Sequence, residues 1–131
     1  EKCKRACNGS QIKLIGPATR GECVYWFSQA QCLLHPNKLF REPLGLAPLE
    51  AQLCETPVVA WNFGAMRETI KHGETGFLVD SLEEMEELIK TRAVDSIDRK
   101  KCREWAMQYS VDRMVCRYEQ LCQEALNTGG W

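Results

Sequence analysis

The chain has 131 residues, 44% of them hydrophobic, and a formal net charge of −1 at pH 7. This is one domain's worth of chain with apolar content enough for a working core, which excludes intrinsic disorder, and its balanced charge excludes a nucleic-acid-binding surface. No apolar run approaches the ~20 residues of a transmembrane helix and no stretch reads as a signal peptide, so the expectation is a soluble, cytoplasmic protein.

Residues 1–7 are charged and helix-compatible, and Asn8-Gly9-Ser10 closes that helix. Residues 12–15 read as a short strand stopped by Gly16-Pro17. Residues 22–31 read as a helix with Val24, Phe27 and Trp26 inward, and residues 32–35 as a second strand ending at Pro36. The loop 37–41 carries Lys38 and Arg41, which are either solvated cations or groups that face a phosphate or an acceptor.

The most informative stretch is 42–60, EPLGLAPLEAQLCETPVVA. Pro43, Gly45 and Pro48 punctuate a loop that turns into a helix with Leu49, Leu53 and Cys54 on its apolar face. Thr56-Pro57 breaks that helix, and Val58-Val59-Ala60 is the apolar run of a strand buried on both sides. Free amides at the helix start, around Gly45 to Ala47, suit an anionic group such as a diphosphate. Glu50 could accept from a ribose diol, and Glu42 from hydroxyls on the far side of the phosphates. The same spacing also fits a helix whose acidic residues only favour its dipole.

Beyond this stretch, Trp61-Asn62-Phe63-Gly64 turns into a short helix at 65–71, His72 to Gly76 make a Gly-rich turn, and residues 77–79 form the last strand. Ser81 and Glu84 read as a capping box ahead of a helix with Leu82, Met85, Leu88 and Ile89 inward. Asp98 caps a helix carrying Cys102, Trp105 and Ala106 on one face. Ser110 caps the last helix, where Val111, Met114, Val115, Tyr118, Leu121, Cys122 and Ala125 recur at three- and four-residue steps, before a frayed tail at 127–131.

Eight cysteines (Cys3, Cys7, Cys23, Cys32, Cys54, Cys102, Cys116 and Cys122) include no C-x-x-C pair, and His35 and His72 stand apart. The expectation is reduced, structural thiols and no metal. Strands alternating with helices argue for a doubly wound parallel α/β sheet of about four strands, with ligands beyond the strands' carboxyl ends.

Glu42-Pro-Leu-Gly-Leu-x-x-Leu-Glu50-Ala, Cys54-x-Thr-Pro-Val-Val-Ala, Asn62-x-Gly64-x-x-x-Glu68-x-Ile70 and His72-Gly-Glu-Thr-Gly-Phe-Leu-Val79 follow one another in register. Together they resemble the donor-binding half of family-four (group 1) retaining glycosyltransferases of the GT-B fold. The resemblance implies metal-independent transfer of a sugar from a nucleotide-diphosphate donor, with no cofactor beyond that substrate. It implies donor-binding roles for Gly16, Pro17, Glu42, Pro43, Leu44, Gly45, Leu46 and Glu50, with Gly16 at the base, Glu50 at the ribose and Glu42 at the sugar. Glu42 and Glu50 are the candidate catalytic residues, acting through binding and positioning, since no residue looks like a general base.

Departures from that family's pattern are Glu55, where Gly is usual past the helix end, and Arg67, where Pro is common. The family's upstream strand, Gly-Arg turn and Lys, together with its N-terminal acceptor-binding domain, have no counterpart in these residues. The chain is therefore expected to be a donor-domain piece (1–95) carrying C-terminal helices (96–131). It is expected to be inactive alone, to self-associate as a symmetric dimer through the last helix or an uncovered sheet edge, and to belong to an enzyme that is cytoplasmic or peripheral to a membrane. A non-catalytic nucleotide-sugar-binding module and a GT-B nucleotide-sugar epimerase are the alternatives.

Overall fold

The computed structural model describes residues 11–39 and 41–129. Its centre is the strand β2, Val58–Trp61, all four of whose residues are buried. It is flanked by β1, Leu33–His35, and β3, Gly76–Val79, both parallel to it, in the order β1-β2-β3. Successive side chains of β2 point to opposite faces. Val58 and Ala60 therefore join Ala51, Ala65, Met66 and Ile70 on one side, while Val59 and Trp61 join Val79, Met85 and Val94 on the other. A β-carbon added to Gly76 would fall on the Val58 carbonyl oxygen and 2.9 Å from the Val58 nitrogen. Gly76 is thus required by the closeness of β3 to β2, not by the turn before it.

The described residues form six α-helices: α1 Arg20–Gln29, α2 Leu46–Leu53, α3 Met66–Thr69, α4 Leu82–Lys90, α5 Arg99–Ala106 and α6 Val111–Thr128. α2 lays Ala51 on the first face and α4 lays Met85 on the second. Asp98 caps α5 by accepting from the Lys100 N–H at 3.0 Å, and Cys102 and Ala106 are buried against the rest of the fold. Arg99, at the start of α5, donates to the Ala30 carbonyl (3.1 Å) and to Thr56 Oγ1 (3.1 Å), tying α1, the end of α2 and α5 together. Trp105 Nε1 adds a 3.0 Å bond to the Thr69 carbonyl.

The α/β class stands, with three strands among the described residues, roughly the number expected. Residues 12–15 are not a strand: Ile12, Leu14 and Ile15 are 64%, 51% and 46% exposed. The described sheet consists of β1, β2 and β3 and does not include them. α1 starts at Arg20, not 22, because Thr19 and Glu22 form a capping box: Thr19 Oγ1 accepts from the Glu22 N–H and the Glu22 carboxylate accepts from the Thr19 N–H at 2.7 Å. On α1 only Phe27 packs into the core, while Val24 and Trp26 are exposed.

The box at α4 is displaced by one residue. Ser81 Oγ accepts from the Glu84 N–H at 3.1 Å, but the Glu84 carboxylate takes the N–H of Asp80. Met85 of that stripe is buried and Leu88 half-buried, whereas Leu82 and Ile89 face solvent. α6 runs through Thr128 to a left-handed cap at Gly129, so Asn127 and Thr128 are helical where a frayed tail was expected. The helix and its stop at 1–10, with Cys3 and Cys7, and Gly130-Trp131 lie outside the described residues. No helix of the described residues is long and apolar enough to cross a membrane.

Candidate functional site

Three parallel strands present their carboxyl ends on one side of the sheet, at His35, Trp61 and Val79, and ligands in such sheets bind there. The chain leaving β1 crosses this edge before entering α2. Glu42 is half-buried within that crossing, and its Oε2 accepts from Asn37 Nδ2 at 3.4 Å. The carbonyl of Glu42 accepts from the Ala65 N–H at 3.1 Å. Gly64, at φ +60°, lies so close that a β-carbon there would be 3.1 Å from that same carbonyl oxygen.

Gly45 is the N-cap of α2, in the left-handed region at φ +81° and buried beneath Met66. It has no side chain with which to cap the helix, and Pro48 in the first turn has no N–H. Among the described residues no hydrogen bond takes up the amides of Gly45, Leu46 and Ala47. They leave donors at the start of the helix, an arrangement of the kind that suits an anion.

Glu50 lies one turn further along α2, exposed, on the wall of a cleft of about 230 Å³ between α1 and α2. Arg20, Cys23 and Phe27 line it from α1, and Leu53 and Cys54 from the end of α2. Burial pushes the Cys54 thiol up from its ordinary value, with Arg103 pulling it back and Glu50 adding to the rise.

The family model of the group 1 glycosyl transferases matches residues 1–108. The chain belongs to the group 1 glycosyltransferases.

Relatives in this family include a D-inositol 3-phosphate glycosyltransferase of Pseudarthrobacter chlorophenolicus, 47% identical over 69 residues, which are 53% of this chain and 16% of that protein. The enzyme of the same name from Frankia alni is 35% identical over 88 residues, 67% of this chain and 20% of that protein. The chain thus spans a fifth or less of these curated relatives. Among solved structures, Anabaena HepE in complex with UDP and glucose superposes with a TM-score of 0.59 at 24% identity, covering 82% of this chain and 30% of that one. That likeness shows the fold, a GT-B glycosyltransferase fold.

Within this family fold, the residues expected at the donor site fall into three places. Glu42, Pro43, Leu44, Gly45 and Leu46 form one continuous edge. Pro43, Leu44 and Leu46 are exposed, and the Glu42 side chain lies 3.6 Å from where a Gly45 β-carbon would be. Glu50 is set apart from them on the α1 side, in its own cleft. Gly16, at φ +79°, and Pro17 are exposed, and it is the next residue, Ala18, that lines the cleft with Glu50.

The arrangement also uses residues that the sequence reading did not single out. Asn37 holds the Glu42 carboxylate, Met66 covers Gly45, and Arg20 and Cys23 face Glu50 across the cleft. Lys38 Nζ lies 4.2 Å from the Trp61 ring centroid, and the Arg41 guanidinium 5.7 Å from that of Phe63. Trp61 is itself fixed by its Nε1–H, which donates to the Pro36 carbonyl at 3.1 Å. Arg67, standing where Pro is common, donates through Nε and a terminal nitrogen to the Asn62 carbonyl and side chain, stiffening the turn after β2. Among the described residues, no group of three or more His, Cys, Asp or Glu is placed to hold a metal ion.

Proposed function

We propose that this chain binds the nucleotide-diphosphate sugar donor of a retaining glycosyl transfer. The observation that carries the reading is the uncapped start of α2, with free amides at Gly45, Leu46 and Ala47, flanked by Glu42 on one side and the Glu50 cleft on the other. In this reading the amides take the diphosphate and the adjoining sugar, and Glu42, oriented by Asn37, accepts from the sugar hydroxyls. Glu50 accepts from the ribose diol, and the base lies in the cleft toward Ala18 and Arg20. Charge builds on the departing diphosphate as the glycosidic bond breaks. Fixed amide dipoles stabilise it without reorganising, which is where such a site contributes to rate. Lys38 lies over Trp61 and Arg41 over Phe63, and in this reading one of them turns to the phosphates or the acceptor. The relatives named above act on an inositol phosphate, and a phosphorylated acceptor would suit these two cations.

The test is calorimetric titration with UDP, ADP and GDP. These ligands carry ribose and diphosphate but no sugar, so Glu50→Ala should weaken binding about tenfold, the loss of a charge-assisted hydrogen bond. Glu42→Ala should change it little with the diphosphates alone and markedly with the matching nucleotide sugar. Equal effects of the two variants on the plain diphosphates would overturn the assignment.

A further inference from the structure

His35 is the last residue of β1 and one of two histidines in the chain. It is paired in register with Ala60 of β2, so both side chains stand on the same face of the sheet. On that face Ala60 packs with Met66, the residue that covers Gly45 at the start of α2. The far ring nitrogen of His35, Nε2, is buried without a hydrogen-bond partner. Its other nitrogen, Nδ1, is unpartnered among the described residues but open to solvent. A neutral imidazole carries a single N–H, on one nitrogen or the other. On Nε2 it would be a buried donor with no acceptor, whereas on Nδ1 it can bond outward, so the neutral ring carries its proton on Nδ1. His72 takes the opposite form, because its Nδ1 accepts from the Leu78 N–H at 3.1 Å.

We propose that His35 is a further residue of the diphosphate site, its Nδ1–H donating to a phosphate oxygen held at the start of α2. The assignment rests on the reading of that site given above. The amides of Gly45, Leu46 and Ala47 then supply N–H groups from α2, and His35 supplies one more from the carboxyl end of β1. A neutral N–H of fixed direction adds to an anion site without a charge of its own to desolvate. The unpaired Nε2 is what fixes it, since the buried side of the ring offers the proton no acceptor. An unpaired buried nitrogen lowers stability, and functional sites are where a fold keeps such a defect.

The experiment has two parts. At mildly alkaline pH, where imidazoles are neutral, ring nitrogen chemical shifts should show an Nδ1–H form for His35 and an Nε2–H form for His72. An Nε2–H form at His35 would overturn the proposal. The chain is then titrated with UDP, ADP and GDP, beside His35→Asn, whose amide nitrogen takes the place of Nδ1, and His35→Leu, which has neither nitrogen. His35→Leu should weaken the diphosphate that binds by about tenfold and His35→Asn should restore most of the loss. Removing the unpaired Nε2 should leave the urea midpoint of His35→Leu at or above that of the wild type. Equal binding by the wild type and His35→Leu would overturn the proposal while leaving the diphosphate site in place. Weaker binding that follows a lowered urea midpoint, or that His35→Asn fails to restore, would overturn it too, making the residue structural. If none of the three diphosphates bound the unchanged chain, the reading of the site itself would fall, and this assignment with it.

Discussion

Glu55 follows α2 at φ +63°, a left-handed conformation that costs a residue with a β-carbon about 1 kcal/mol. The cap around it is fully formed all the same: the Thr56 N–H donates to the Ala51 carbonyl at 3.0 Å and the Glu55 N–H to that of Gln52 at 2.9 Å. Glu55→Gly should therefore raise stability by roughly 0.5–1 kcal/mol, read as a higher urea midpoint at unchanged slope, with nucleotide binding untouched. Cys102 supplies a second test at this scale. Its thiol is fully buried, donates to the Thr75 carbonyl at 3.5 Å, and is pushed by burial from an ordinary 9.0 up to about 11. A raised value favours the protonated thiol in the folded state, so this stabilisation is complete below pH 9 and is lost as pH rises from 9 to 11. The fold should lose on the order of 2 kcal/mol over that range through this group. Cys102→Ala, though weaker overall, should show a correspondingly shallower decline in chemical unfolding measured between pH 8 and 11. The Glu55 anomaly was legible in the sequence as a missing Gly. Asn37 was not, because its role rests on reaching a carboxylate five positions away across a bend that local pattern does not record.

Among the elements, those whose ends are set by local chemistry could be read closely. Asp98 and Ser110 cap the helices expected of them, because a short polar side chain facing free amides is a strictly local arrangement. Even the box at Thr19 was written in its Thr-x-x-Glu spacing, and starting α1 at Glu22 overlooked it. The segment 12–15 differed for the opposite reason, since apolar, β-branched residues give propensity, and strand pairing is not decided by local pattern. Gly76 lies between these cases: its position was clear, its cause was not. Because a β-carbon there meets the backbone of Val58 and no flexible side chain, Gly76→Ala should push β3 off β2 and cost about 3 kcal/mol or more. A thermal melt within a few degrees of wild type would show that the two strands can separate to accept it.

For the molecule as a whole, the class was readable because β2 is uniformly apolar while its neighbours alternate with helices. The split of the site into a loop edge at Glu42–Gly45 and a separate cleft at Glu50 was not, since it depends on how α1 packs against α2. The order of strands in the sheet repeats their order in the chain, all of them parallel, and this bears on how the protein is made. Among the described strands no two form a hairpin, and each pairing brings together residues roughly twenty positions apart, so their pairing is not a local event. Of the three described strands β1 leaves the ribosome before β2, so their ladder waits until the whole of α2 has been made. The middle strand, against which both faces of the described core are built, is the one whose arrival lets the described strands pair.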